Sequence, residues 1–137
     1  MIDISTSVDE VHLLRLQSGD DILQGLQKYV QDRQIDNALI MNGFGSVIHY
    51  HYHVVADGAL PPKVDYSSGE RALDIVSMSG VVLNGRVHAH ITFTDAETAM
   101  GGHLEEGCRV LTFAVVVIGM LATDADMSVW DNFRTRG

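Results

Sequence analysis

Residues 82–94 read Val-Leu-Asn-Gly-Arg-Val-His-Ala-His-Ile-Thr-Phe-Thr, and this stretch decides the fold class. Asn84-Gly85 stands between two β-rich runs, and both residues tolerate positive φ, so the pair predicts a tight hairpin. After the turn, Val87, Ala89, Ile91 and Phe93 alternate with Arg86, His88, His90, Thr92 and Thr94. Side chains of a strand point alternately to opposite faces, so the first set belongs to a core and the second to a polar surface. His88 and His90 share that polar face with Cα atoms about 6.5–7 Å apart, close enough for two imidazoles to lean onto one ion.

Outward from the hairpin, Leu73 to Leu83 supplies its first arm, and Val11 to Gln17, Asn37 to Met41 and Val47 to Val55 also read as strands. In Val47 to Val55 the alternation puts Val47, His49, His51, His53 and Val55 on one face and Ile48, Tyr50, Tyr52 and Val54 on the other. Phe44-Gly45 is expected to turn or bend, and Gly43-Phe44-Gly45-Ser46 lacks the third glycine, lysine and following helix of a phosphate-binding loop. Asp57 to Gly69 holds both prolines and reads as a loop. Arg109 to Leu121 is almost continuously apolar, as in a strand covered on both faces. One convincing helix runs from Asp20 to about Gln34, with Ser18 as cap candidate and Ile22, Leu23, Leu26, Tyr29 and Val30 on one face. A single helix covers only part of so apolar a sheet, so a second subunit is expected to bury the rest. The fold class is therefore α+β, a mostly antiparallel sheet with one main amphipathic helix. Residues 1–10 form a flexible N-terminus, 11–121 one domain, and 122–137 a C-terminal tail. Trp130, Phe133, Arg134 and Arg136 in that tail are placed to dock back or cross to a neighbour.

The chain of 137 residues is 46% hydrophobic and 20% charged, an ordinary globular composition for one domain. Nine basic against 18 acidic residues give a net charge of −9, which argues against a phosphate-binding surface and makes direct DNA binding doubtful. No apolar run reaches the roughly 18 residues of a membrane span. The N-terminus MIDISTSVDE lacks the basic and apolar regions of a signal peptide. The single cysteine, Cys108, excludes an internal disulfide and fits a reducing compartment, so a cytoplasmic location is expected. It opens an apolar strand and reads as packed rather than nucleophilic.

Thirteen residues beyond His90 comes Gly101-Gly102-His103. If Thr98 to His103 folds back beside the hairpin arm, His103 returns to the face of His88 and His90, the two glycines allowing close backbone approach. Three neutral imidazoles with an open fourth position suit a catalytic zinc site. Glu105 and Glu106 follow closely, each a candidate fourth ligand, partner for an imidazole N–H, or general base. His49, His51 and His53 form a second set, too extended for one ion to engage all three, and read as a hydrated or interface-facing surface. No serine sits in a G-x-S-x-G elbow.

The order Leu14-Arg15-Leu16, Gly19-Asp20-Asp21-Ile22, Asn42-Gly43-Phe44-Gly45-Ser46-Val47, Leu73 to Gly80, His88-Ala89-His90, Gly101-Gly102-His103-Leu104 and Gly107-Cys108-Arg109-Val110 resembles the PPC domain (plants and prokaryotes conserved, also called the DUF296 domain) from about Val11 to Leu121. The resemblance implies an α+β domain assembled as a homotrimer. It divides on function: plant members join the domain to AT-hooks and bind DNA, and stand-alone prokaryotic members carry a DNA-binding label. This chain has no Arg-Gly-Arg-Pro hook, and Glu70 to Ile75 replaces the GRFEIL-type segment of plant members. The histidine pattern is also similar to that of acetolactate decarboxylase. That similarity implies His88, His90 and His103 as zinc ligands; Arg86, on the histidine face, and Glu105 and Glu106, close by in sequence, are candidate catalytic residues by position. The function expected is therefore metal-assisted lyase or hydrolase chemistry on a small molecule, the alternative being a DNA-associated regulatory module.

Overall fold

The computed structural model describes residues 1–133; Arg134 and Arg136, named above as part of a docking tail, lie outside the described residues. The element order is β1 (Val8–Gln17), α1 (Ile22–Asp32), β2 (Ala38–Val55), β3 (Val64–Leu83), β4 (Arg86–Thr94), β5 (Ala99–Leu104) and β6 (Arg109–Leu121). The strands form one sheet in the order β1-β6-β2-β3-β4-β5, every pairing antiparallel. The far end of β2 also pairs with β5, through Tyr52↔Leu104 and His53↔His103. That extra pairing closes β2, β3, β4 and β5 into a ring. The α+β class with one helix is thus as expected, and no helix among the described residues is long and apolar enough to cross a membrane.

Asn84 (φ 46°) and Gly85 (φ 83°) both adopt the left-handed region, making the hairpin turn the sequence specifies. Strand β4 covers the expected residues, with Val87, Ala89, Ile91 and Phe93 buried. The helix inserts Ile22, Leu26 and Val30, all fully buried, each contributing roughly 1.5–3 kcal/mol by removal from water. It starts later than expected, and its cap is Asp21, not Ser18. The Asp21 carboxylate accepts from the Gln24 N–H at 3.0 Å and from the Gly107 N–H at 2.7 Å. An ionised carboxylate answering two backbone donors outcompetes a hydroxyl, while Gly19 turns the chain at φ 91°. The helix is also pinned to the hairpin: Gln27 donates to the Gly85 carbonyl at 2.6 Å and accepts from the Val87 N–H at 3.0 Å.

Several local expectations are corrected. Gly43-Phe44-Gly45-Ser46 neither turns nor ends a strand; β2 runs through it, with irregularities in its pairing to β6 at Ile40/Asn42 and Gly45/Val47. Gly45 takes φ 143° within the strand; the residue extra to β2 lies between Ile40 and Asn42, and opposite Gly45/Val47 the extra residues belong to β6, so the glycines sit inside a continuous strand. A further irregularity at Val47/His49 resets the alternation: Val47 enters the core where Tyr50 and Tyr52 also pack, away from the histidines. The expected loop over Asp57 to Gly69 is shorter, because β3 already begins at Val64 and pairs Tyr66 with His53 and Ser68 with His51. Strand β1 likewise starts at Val8, three residues before Val11. In β6, Val110, Ala114, Val116 and Ile118 are buried, but Leu111 and Phe113 are exposed, so within one chain only one face is covered.

Candidate metal centre

Strands β4 and β5 pair His90 directly with His103, and β2 pairs His53 with the same His103. His103 is therefore flanked on both sides by histidine. The two glycines before it are what permit this: a Cβ on Gly101 would strike the Ile91 carbonyl of β4, and one on Gly102 the His53 carbonyl of β2. The fold-back expected of Thr98 to His103 is realised as β5, and the close approach expected of the glycines accompanies it.

Four rings converge. His88 and His90 lie nearly parallel, with centroids 5.7 Å apart and 7° between planes. His103 meets His88 at 4.6 Å and His90 at 5.7 Å, edge to face in both cases. His53 stacks on His103 at 4.3 Å. The predicted trio is thus brought together, and His53 joins it. The sequence reading left His53 with His49 and His51, but the three part company. His49 faces Glu70 at 3.5 Å, and His51 Nδ1 meets the Glu106 carbonyl at 2.6 Å. Only His53 reaches β5, and the signal that could have found it was the end of β2 meeting Gly102, which requires the ring closure.

Carboxylates organise the imidazoles. Glu105 Oε1 meets Nδ1 of His53 and, at 3.1 Å, Nδ1 of His103. His53, His103 and Glu105 place one potential donor atom each within 4.8 Å of one another. Asp131 Oδ2 meets His88 Nδ1 at 2.7 Å. A carboxylate accepts the Nδ1 proton and leaves Nε2 with its lone pair, the arrangement metal-binding histidines commonly use. Glu106 stands apart from this group, its carboxylate accepting from Gln24 of the helix at 3.3 Å. Arg86 does not point at the rings; it forms a forked ion pair with Asp131, Nη1 at 2.5 Å and Nη2 at 2.8 Å. That fork holds the Asp131 carboxyl well below the usual carboxylate range, with His88 assisting.

Two rings of the cluster, His103 and His90, are biased toward the neutral form. Burial lowers the pKa of His103, and the nearby His53 and His88 lower it further, against the opposing Glu105 charge. His90 is lowered by burial first, then by His88 and His53. Neutral imidazole is the ligand form, so the residues present fit a divalent metal that accepts nitrogen donors. Cys108 takes no part. It is fully buried, its thiol donates to the His51 carbonyl, and burial pushes its pKa up to about 11. A cavity of about 270 Å³ opens beside His88 and His90, walled by Val81, Leu83 and Trp130. A larger cleft of about 770 Å³ runs along His49, His51 and Arg109, away from the cluster.

A family model described as the Plants and Prokaryotes Conserved (PCC) domain matches residues 4–122. The bifunctional protein GlmU of Synechococcus sp. (strain JA-3-3Ab) is 29% identical over 109 residues, which are 79% of this chain and 17% of that protein. The chain therefore spans less than a fifth of that relative's length. Among solved structures, a metal-containing protein from Archaeoglobus fulgidus is 22% identical with a TM-score of 0.80, over 91% of this chain and 89% of that one. A protein from Ralstonia eutropha JMP134, provisionally described as DNA-binding, is 25% identical with a TM-score of 0.68, over 83% and 80%.

Proposed function

Since the chain belongs to the Plants and Prokaryotes Conserved domain family, we propose that it is a homotrimeric domain that binds zinc through His88, His90 and His103 and acts on a small molecule beside that metal. The observation that carries this reading is the meeting of those rings, with the Nδ1 atoms of His88 and His103 turned to carboxylates. His53, held by the same Glu105 oxygen, is the natural additional donor. When bound there, zinc would supply Lewis acidity or an acidified water for lyase or hydrolase chemistry on a small oxygenated acid. The chain's own residues have simpler duties. Glu105 orients two imidazoles and can hold a proton at Oε1; Arg86 orients Asp131; Glu106, turned to Gln24, is the weakest of the catalytic candidates.

Elemental analysis of untagged protein tests the site. Near-stoichiometric zinc in the wild type and none in His90→Ala, with the oligomer unchanged, is the expected result. Equal metal content in the two proteins would remove the assignment.

A second reading has one observation in its favour, the DNA-binding description of the Ralstonia protein. In it the domain is a DNA-associated regulatory module. The net charge of −9 weighs against direct contact. A gel shift at physiological salt decides: no complex at micromolar protein would exclude direct recognition.

A further inference from the structure

The segment after β6 lies beyond the family match, which ends at residue 122, yet it is built into the candidate site. It is docked by the same asparagine that makes the hairpin. Asn84 Nδ2 donates to Asp126 Oδ1 at 3.0 Å, and Asn84 Oδ1 accepts from the Met127 N–H at 3.2 Å. Asn37 Nδ2 donates to the Ala125 carbonyl at 3.0 Å, and Met127 is buried. Arg86 then reaches the Ser128 carbonyl at 3.3 Å while its fork holds Asp131. Thus the turn anchors the tail, and the first residue of β4 aims the tail's carboxylate at the third.

We infer that this C-terminal segment is a working part of the metal site, with Asp131 a positioning residue that fixes His88 as a ligand and Trp130 a wall of the adjoining ligand cavity. The inference rests on the metal-site reading above. The chemical argument is the tautomer. A histidine strand residue free to choose would place its proton on either nitrogen; a charged acceptor 2.7 Å from Nδ1 fixes the proton there and the lone pair on Nε2. Glu105 does this for His53 and His103 from within the domain, whereas no carboxylate in the domain does it for His88 among the described residues. Asp131 supplies the missing acceptor from outside the family segment. Trp130, its neighbour, lines the cavity that opens on His88 and His90, so one short stretch both orients a ligand and shapes the space next to it.

The test is zinc affinity by competition with a chelating dye, on full-length untagged protein, for the wild type, Asp131→Ala, Asp131→Asn and His90→Ala. Loss of about 10–100-fold in Asp131→Ala, with partial recovery in Asp131→Asn, which retains an acceptor oxygen, is expected. Wild-type affinity in Asp131→Ala, while His90→Ala binds nothing, would overturn the role of Asp131 and leave the site intact. No zinc binding by the wild type would overturn both. Should Asp131→Ala not fold, the imidazole ¹⁵N shifts of His88 in the wild type decide alone: a protonated Nδ1 supports the inference and a protonated Nε2 overturns it.

Discussion

His53 and His103 stack with ring centroids 4.3 Å apart, and the Nδ1 of each meets the same oxygen of Glu105. One carboxylate therefore sets two imidazoles from different strands in one tautomer. Replacing Glu105 with Ala releases both, and zinc affinity should fall about 10–100-fold, as when the outer partner of a ligating histidine is lost. His53→Ala should cost less than His103→Ala, because His103 touches all three other rings and His53 stacks only on His103 within the cluster. Dye-competition affinities for the three variants check the order; equal losses for His53→Ala and His103→Ala would contradict it.

The cluster also predicts how stability depends on pH. His90 and His103 have folded-state pKa values below the ordinary 6.5, through burial first and neighbouring imidazoles second. Below about pH 6.5 the unfolded chain takes up protons at these positions that the folded chain refuses. Unfolding free energy therefore falls with pH from that point down to the lowered folded values, and is fully retained above it. Metal-free protein should melt at a lower temperature at pH 5.5 than at pH 7.5. His90→Ala and His103→Ala together should narrow that gap. An unchanged gap in the double variant would place the titrating groups elsewhere.

Cys108 should be inert while the protein is folded. Its sulfur is fully buried between backbone groups of His51, accepting from the N–H at 3.3 Å and donating to the carbonyl. With its pKa pushed up to about 11, almost no thiolate exists near neutrality. A disulfide dye should therefore react with the one thiol only after denaturant is added. Prompt reaction of native protein would show that β2 and β6 separate at this point.

Much of this was legible because the informative signals were local. Asn84-Gly85 fixes the hairpin, the alternation of β4 fixes which of its histidines share a face, and Gly101-Gly102 marks where β5 must press against a neighbour. What escaped was non-local. His53 joins the site only because irregular pairing along β2 and the length of β3 close the ring, and a one-residue slip moves every later side chain to the other face. Asp131 escaped because its partner lies 43 positions away and its own surroundings carry no periodicity. The cap moved from Ser18 to Asp21 for the same kind of reason: the second donor to Asp21 is Gly107, on the turn between β5 and β6.

Strand β6 separates folding from assembly. Val116 is fully buried, and a charge there costs several kcal/mol, an amount comparable with the stability of a small domain. Val116→Asp should abolish the cooperative thermal transition. On the outward face, Leu13 pairs with Val117, and Val115 stands between Arg15 and Phe44. Phe44 and Phe113 meet edge to face there at 6.2 Å, and both are exposed, as are Val11 and Leu13. That apolar surface, spanning β1, β6 and β2, is the contact expected for the proposed homotrimer. Phe113→Glu should keep the circular dichroism of the wild type while lowering the molar mass found by light scattering toward that of one 15.0 kDa chain. A wild-type mass equal to a single chain would remove the trimer from the proposal, and an unchanged multiple mass in Phe113→Glu would move the contact to another face.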